Sequence, residues 1–291
     1  MIAQLFAIIA PVLVAAGIGF YWARSKRVFD TAFVGQIVSN IGTPCLVFST
    51  LAKTEADPAM IFTMAGGTLV ATAGFLVVAF IGLKLARQPI QPYLSPLTFA
   101  NTGNMGLPLA LFAFGKEGLA MGIAHFTVTS ILNFTVGQLA VAGRAQLGAV
   151  LRSPILPAAL AGAVVVGFQL HVPDWIANTT QLLGGLTIPL MLLMLGVSLA
   201  NLKISGLKRA LGLSVFRIAL GFSVGTTAAW ALALPPLAGK VLVLQASMPV
   251  AVYSYVFALR YQQRPDDIAS MVVISTTLAF FTIPLVLLYL L

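Results

Sequence analysis

The sequence predicts an all-α, polytopic membrane protein of ten transmembrane helices, built as two inverted five-helix repeats. Three observations predict it: an apolar composition, ten stretches each long enough to cross a bilayer, and four prolines placed alike in the two halves. Of 291 residues, 59% are hydrophobic and 8% are charged. Soluble domains run to roughly 45–50% apolar and about 25% charged, so a soluble protein of this composition would lack the polar surface to cover itself.

A helix crosses ~30 Å of hydrocarbon with about 20 mostly apolar residues. Ten stretches qualify: 3–22, 31–52, 59–83, 93–115, 118–143, 153–171, 175–202, 210–236, 238–259 and 268–291. They are long and lack strict alternation, which excludes barrel strands. No basic segment precedes the first stretch, whereas Arg24, Lys26 and Arg27 follow it. It is therefore expected to be a retained span with its N-terminus outside, not a cleaved signal peptide.

Connections after odd-numbered spans carry Arg24, Lys26, Arg27, Lys84, Arg87, Arg144, Arg152, Lys203, Lys208, Arg209, Arg260 and Arg264. Those after even-numbered spans, with their flanks, carry only Lys53, Lys116 and Lys240. This bias places the odd connections in the cytoplasm and both termini outside. Trp22, Trp175 and Trp230 fall at or near span ends, where indoles favour the interface. The net charge of +9 thus reads as topology. With no basic stripe or aromatic interleaving, it excludes a nucleic-acid partner; lipid is the expected surrounding. The single cysteine, Cys45, excludes an internal disulfide and offers no metal spacing.

Pro44 and Pro108, in the second and fourth spans, are 64 residues apart; Pro189 and Pro249, in the seventh and ninth, are 60 apart. The halves are offset by 145 residues at one pair and 141 at the other, and in the first span of each half Pro11 and Pro157 lead into a small, Gly-containing run. The repeats are read as 1–145 and 146–291. Five spans per repeat force the second to enter from the opposite face, a plan common among secondary transporters.

A proline within a helix removes its own N–H bond and displaces the carbonyl four residues back. Those carbonyls belong to Asn40, Asn104, Gly185 and Gln245. A lone proline merely kinks a helix; four in matched positions, three with amide side chains nearby, point to a binding site. The densest cluster is Asn101, Thr102, Gly103, Asn104, Met105, Gly106, Leu107 and Pro108. Asn101 and Asn104 are spaced to share a face, and Gly103 and Gly106 leave room for a crossing backbone. A half-helix is expected to begin just beyond Pro108, presenting free N–H groups to an anion such as a carboxylate. Gln245, Ser247, Met248 and Pro249 offer the same geometry from the other half, with Asn40 and Pro44 as further lining residues. His125 is read either as a proton relay or as a neutral histidine bonded to a neighbouring helix. Arg217 either snorkels or lines the inner pathway. Asn133 and Gln138 are read as packing amides and His171 as structural. Asp30, Glu55, Asp57, Glu117, Asp174, Asp266 and Asp267 fall at span ends or in loops, where solvation is the default.

Asn101-Thr102 followed by Met105-Gly106-Leu107-Pro108-Leu109 resembles the crossover motif of the auxin efflux carrier family. So do Gln245-Ala246-Ser247-Met248-Pro249, Tyr255-Val256-Phe257-Ala258 and Arg264-Pro265-Asp266. The resemblance covers nearly the whole chain, without a large central cytoplasmic loop. It implies a sodium–proton antiporter-like fold with broken crossover helices 4 and 9, elevator-type alternating access, and often a homodimer. It also implies residence in a bacterial cytoplasmic membrane and a substrate such as malate or malonate. Asn101 takes the place of the family's substrate-binding asparagine, and Pro108 and Pro249 those of its crossover prolines. Tyr253-Ser254 departs from the plant carriers and puts auxin itself in doubt.

The leading reading is a secondary carrier of small organic anions that needs no cofactor or metal. A sodium-coupled organic anion symporter of the bile-acid transporter type is the alternative. No phosphate loop marks a self-contained pump. An intramembrane enzyme would need paired carboxylates, a metal-ligand set or an activated serine, and none stands out. A receptor would carry an added soluble signalling domain.

The charge bias sets a direct test of orientation. In a Cys45→Ala background, single cysteines near Lys26 and Lys208 should resist an impermeant thiol reagent added to intact cells, while one near Asp174 should label. Reversed labelling would invert the topology.

Overall fold

A computed structural model describes residues 2–54, 57–143, 148, 153–202 and 204–291. Glu55, Arg144, Arg152, Lys203 and the junction between the repeats at 145–146 lie outside the described residues. The described residues form helices, with one isolated antiparallel bridge between Ala100 and Val250.

Helix α1 covers Ile2–Arg24 and bears Pro11 inside it. Helix α2, Thr31–Ala52, starts at Asp30, whose carboxylate accepts from the Ala32 and Phe33 N–H groups. Helix α3, Pro58–Leu85, starts in the same way at Asp57. Both carboxylates sit where orphan N–H groups and the positive helix end favour them. Short α4, Ile90–Thr98, follows, then a continuous run Thr102–Ala142 that reverses at Gly115.

That reversal makes two limbs, 102–114 (α5) and 116–142 (α6). Gly115 has φ 69° and ψ −159°, backbone that a glycine alone adopts readily. The limbs pack antiparallel: Gly118 lies against Phe114, Gly122 against Ala110 and Leu107, and Gly103 against Phe126. Helix α7 is Ile155–Gly167. Helix α8, Asp174–Asn201, is jointed at Leu186. Helix α9 is Leu207–Ala231, α10 Pro236–Ala246, α11 Val252–Tyr261 and α12 Pro265–Leu290. Seven helices among the described residues are long and apolar enough to cross a membrane, the run Thr102–Ala142 being one of them. This is a multi-pass membrane protein.

Two of the prolines are accommodated by wider turns. Val38–Gly42 is a π-turn just ahead of Pro44, closed by Thr43 N–H to the Val38 carbonyl. Thr102–Gly106 is another ahead of Pro108, closed by Leu107 N–H to the Thr102 carbonyl. One extra residue in the turn lets the ladder pass the missing N–H without an orphaned group. Pro189 follows the joint at Leu186 instead.

The helices pack into two groups. Helix α1 lies along the second half of α8, and α2 packs on α7 and the first half of α8. The other group joins α3 to α4, α6 and α9, and α9 to α10 and α12. In the first group the α1–α8 contact is close: a side chain at Gly196 would run into the Ala16 carbonyl, and one at Gly19 into that of Leu193. Lipid tails are as apolar as leucine, so close backbone approach through small residues, not hydrophobic burial, holds such pairs. An apolar seam joins the groups: Ile8, Val12 and Leu192 on one side meet Met105, Leu109, Val243 and Met248 on the other.

At the end that carries the α9 and α12 N-termini, Asp267 accepts from Tyr93 at 2.5 Å and from Arg209 at 3.0 Å, with Arg264 at 3.7 Å. The expected solvation of Asp267 is therefore corrected: it ties α4, α9 and α12 together. A carboxylate at a span edge has the same local sequence whether it is solvated or lies where helix ends converge.

Candidate functional site

Two helical runs are interrupted where they pass each other. Residues 99–101 separate α4 from α5, and residues 247–251 separate α10 from α11. The two segments pair antiparallel, with Asn101 N–H donating to the Pro249 carbonyl at 2.8 Å and Ala251 N–H to Phe99 at 3.4 Å. Val250 N–H donates to the Ser275 hydroxyl of α12 at 3.0 Å. Unpaired backbone inside a membrane costs several kcal/mol per group, and each broken helix supplies partners for the other.

The break on the first side lies earlier than the sequence indicated. The half-helix begins at Thr102, not beyond Pro108, which sits within α5 on the far side of the π-turn. On the second side the chain resumes helix at Val252, three residues past Pro249. A proline weakens the ladder over a whole turn, and the crossing strand selects where within that turn the chain leaves the helix.

Asn101 occupies the N-cap position of the α5 turn without capping it. Its carbonyl accepts from Met105 and Gly106 N–H. The residue is 5% exposed, and its amide nitrogen has no partner among the described residues. Ala251, at the start of α11, provides no side-chain cap either. Two positive helix ends thus meet two carbonyl ends, those of α4 and α10, at one level of the bundle.

The other sequence-predicted residues divide. Thr102, Gly103, Gly106, Pro108 and Met248 are buried and Asn104 is half-buried around the same turn. Gly103 and Gly106 make room for side chains rather than for a crossing backbone: the Phe126 ring lies against Gly103, and the Gln245 amide against Gly106. A β-carbon at Gly122 would come 3.0 Å from the Gln245 nitrogen. Gln245 is fully buried, its amide oxygen and nitrogen both without partners among the described residues. Ser247 donates to the Val243 carbonyl at 2.7 Å, which ends α10. Asn40 and Pro44 lie apart, on α2 in the first helix group, where Asn40 is exposed and Pro44 half-buried.

Arg217 neither snorkels nor faces an open pathway. It is 0% exposed, donates to the Ala246 carbonyl at 3.1 Å and stands 4.9 Å from the Phe75 ring centre. Its one sequence signal was an arginine in the middle of an apolar run. His125 lies in the same bundle, its Nδ1 2.9 Å from the Thr68 hydroxyl. That hydroxyl donates to the Met64 carbonyl, so its oxygen accepts from the ring N–H. Asn133 begins a third π-turn, Asn133–Gly137, and Gly137 brings it beside Phe99 at the crossover. Phe134 meets Tyr253 and Phe257 edge-on at 5.9 and 5.7 Å. No proline marks this turn, and spacing alone could not place it. A cavity of about 240 Å³ lies elsewhere, between the ends of α2 and α8, lined by Ser49, Lys53, His171, Asp174 and Asn178.

The family model described as "Membrane transport protein" matches residues 5–153 and again 146–287. An uncharacterized transporter of Methanocaldococcus jannaschii is 26% identical over 272 residues, 87% of each chain. One of Methanothermobacter thermautotrophicus is 27% identical over 268 residues, 88% of each.

The fit of Gln245 against glycine sets a stability test. Gly106→Ala should lower the detergent melting temperature by the equivalent of about 1–3 kcal/mol, the usual cost of overpacking. In a Gln245→Ala background the same change should cost far less. Equal costs in both backgrounds would remove the glutamine from the pocket.

Proposed function

The chain belongs to the auxin efflux carrier family of membrane transport proteins, and on that premise we propose that it is a secondary carrier of small organic carboxylates. The observation that carries the reading is the crossover itself. A buried asparagine, its amide nitrogen unpaired among the described residues, stands at an uncapped half-helix start beside the start of a second half-helix. Free N–H groups and positive helix ends suit a carboxylate, and Asn101 can donate to it. Malate and malonate are the substrates we put first, after the resemblance of the crossover motif.

We infer ten crossings in two inverted repeats, with α4–α5 and α10–α11 as broken spans and both termini outside the cytoplasmic membrane. The matched prolines and the charge bias support this. The apolar seam between the two helix groups supports elevator-type movement, because a surface with no ion pair among the described residues slides at little cost. The group holding the crossover would move and the α1–α2–α7–α8 group would stay. Homodimers would form through the stationary group.

The test is uptake by purified protein in liposomes across a panel of mono- and dicarboxylates. Transport of at least one is expected, and Asn101→Ala should abolish it with little change in melting temperature. Normal transport by that variant would remove Asn101 as a substrate ligand.

Replacing sodium with choline at fixed pH and voltage should leave the initial rate unchanged. The described carboxylates lie at helix starts or in connections: Asp30 and Asp57 as caps, Glu117 just past the reversal at Gly115, and Asp174, Asp266 and Asp267 in first turns. A steep, saturable dependence on sodium would favour the symporter instead.

A further inference from the structure

Arg217 is the one buried Lys, Arg, Asp or Glu among the described residues. A guanidinium stays protonated in proteins, so a full positive charge lies inside the bundle. No described carboxylate pairs with it; the ion pairs of the described residues gather instead on Asp267, at a helix end. What faces Arg217 is partial compensation. The Ala246 carbonyl closes the α10 half-helix, whose end carries about half a negative charge. The Phe75 ring adds the negative face of its π-system. His125, within electrostatic reach, donates its ring N–H to Thr68 and supplies no negative charge. Two guanidinium nitrogens, Nε and Nη1, have no partner among the described residues. The position is built for the charge: Gly221, one turn along α9, brings that helix against the Ala246 carbonyl, where a β-carbon would clash.

We propose that Arg217 is the fixed countercharge of the crossover, a positioning residue that anchors the broken end of α10 and makes the adjacent site select anions. Through Ala246 it is bound to the crossover, and α9 packs on α10 and α12, so the charge belongs to the moving group. The empty carrier therefore bears a net positive charge in its transmembrane part, which one carboxylate group of a bound substrate neutralises. Reorientation of the empty carrier moves charge through the membrane field. The inference rests on the carrier reading above and extends it to the charge of the empty state.

The experiment needs no substrate. Purified protein in giant proteoliposomes is stepped in voltage with methanesulfonate as the small anion and no carboxylate on either side. Wild type should give a saturating transient charge movement. Arg217→Gln, checked for monodisperse elution and cooperative melting, should lose most of it, and Arg217→Lys should restore at least half. A purely structural role would leave the folded glutamine variant with the wild-type transient, and that result overturns the proposal. Absence of any transient in wild type overturns it as well, whether or not the variants fold. Carboxylate uptake without an Arg217-dependent transient would sink this inference alone. The transient without uptake of any carboxylate would sink the substrate reading alone.

Discussion

The backbone pairing of Ala100 with Val250 is the constraint on which the rest of the structure depends. A membrane interior supplies no water to a broken helix, so a chain may leave the helical ladder only where another chain segment satisfies it. Here two interruptions satisfy each other, helped by the Ser275 hydroxyl. Each break would be costly alone; together they place four helix ends at one level. The buried amides of Asn101 and Gln245 stand there because the breaks do.

Charge follows the same geometry. The described carboxylates sit at helix starts, and the mid-bundle cation sits at a helix finish. A charge at a helix end gains up to ~2 kcal/mol in partly buried positions, and a hydrogen bond from a charged donor about 1.5–3. Burial of an ion costs several kcal/mol after relaxation. The Ala246 contact thus offsets Arg217 in part, whereas Asp267, with three partners at a helix end, is close to fully compensated. One of these charges cements helix ends; the other stays buried with only part of its charge balanced.

The prolines at 44, 108, 189 and 249 marked the helices that would be irregular, because a missing N–H disturbs any helix that contains it. They did not mark how. Two became π-turns, one follows a joint, and one stands in the crossing strand. Asn101 was legible as part of a Gly- and Asn-rich run, while its place before the first turn, and so its unpaired nitrogen, was not. Asn133 and Arg217 gave still less warning. A single polar residue in an apolar stretch has the same local pattern whether it faces lipid, a cavity or a neighbouring carbonyl.

Composition and run length by themselves determined that this chain is helical and lives in a membrane, because both properties are sums over local residues. The crossover motif determined its family. Only the tertiary structure decided which segments meet: that 99–101 pairs with 247–251, that Gly106 and Gly122 house Gln245, that Asn40 stands apart, and that Arg217 closes α10. Those facts depend on contacts between residues far apart in sequence. No local pattern carries them, because in hydrocarbon a polar group is placed by the partner it finds.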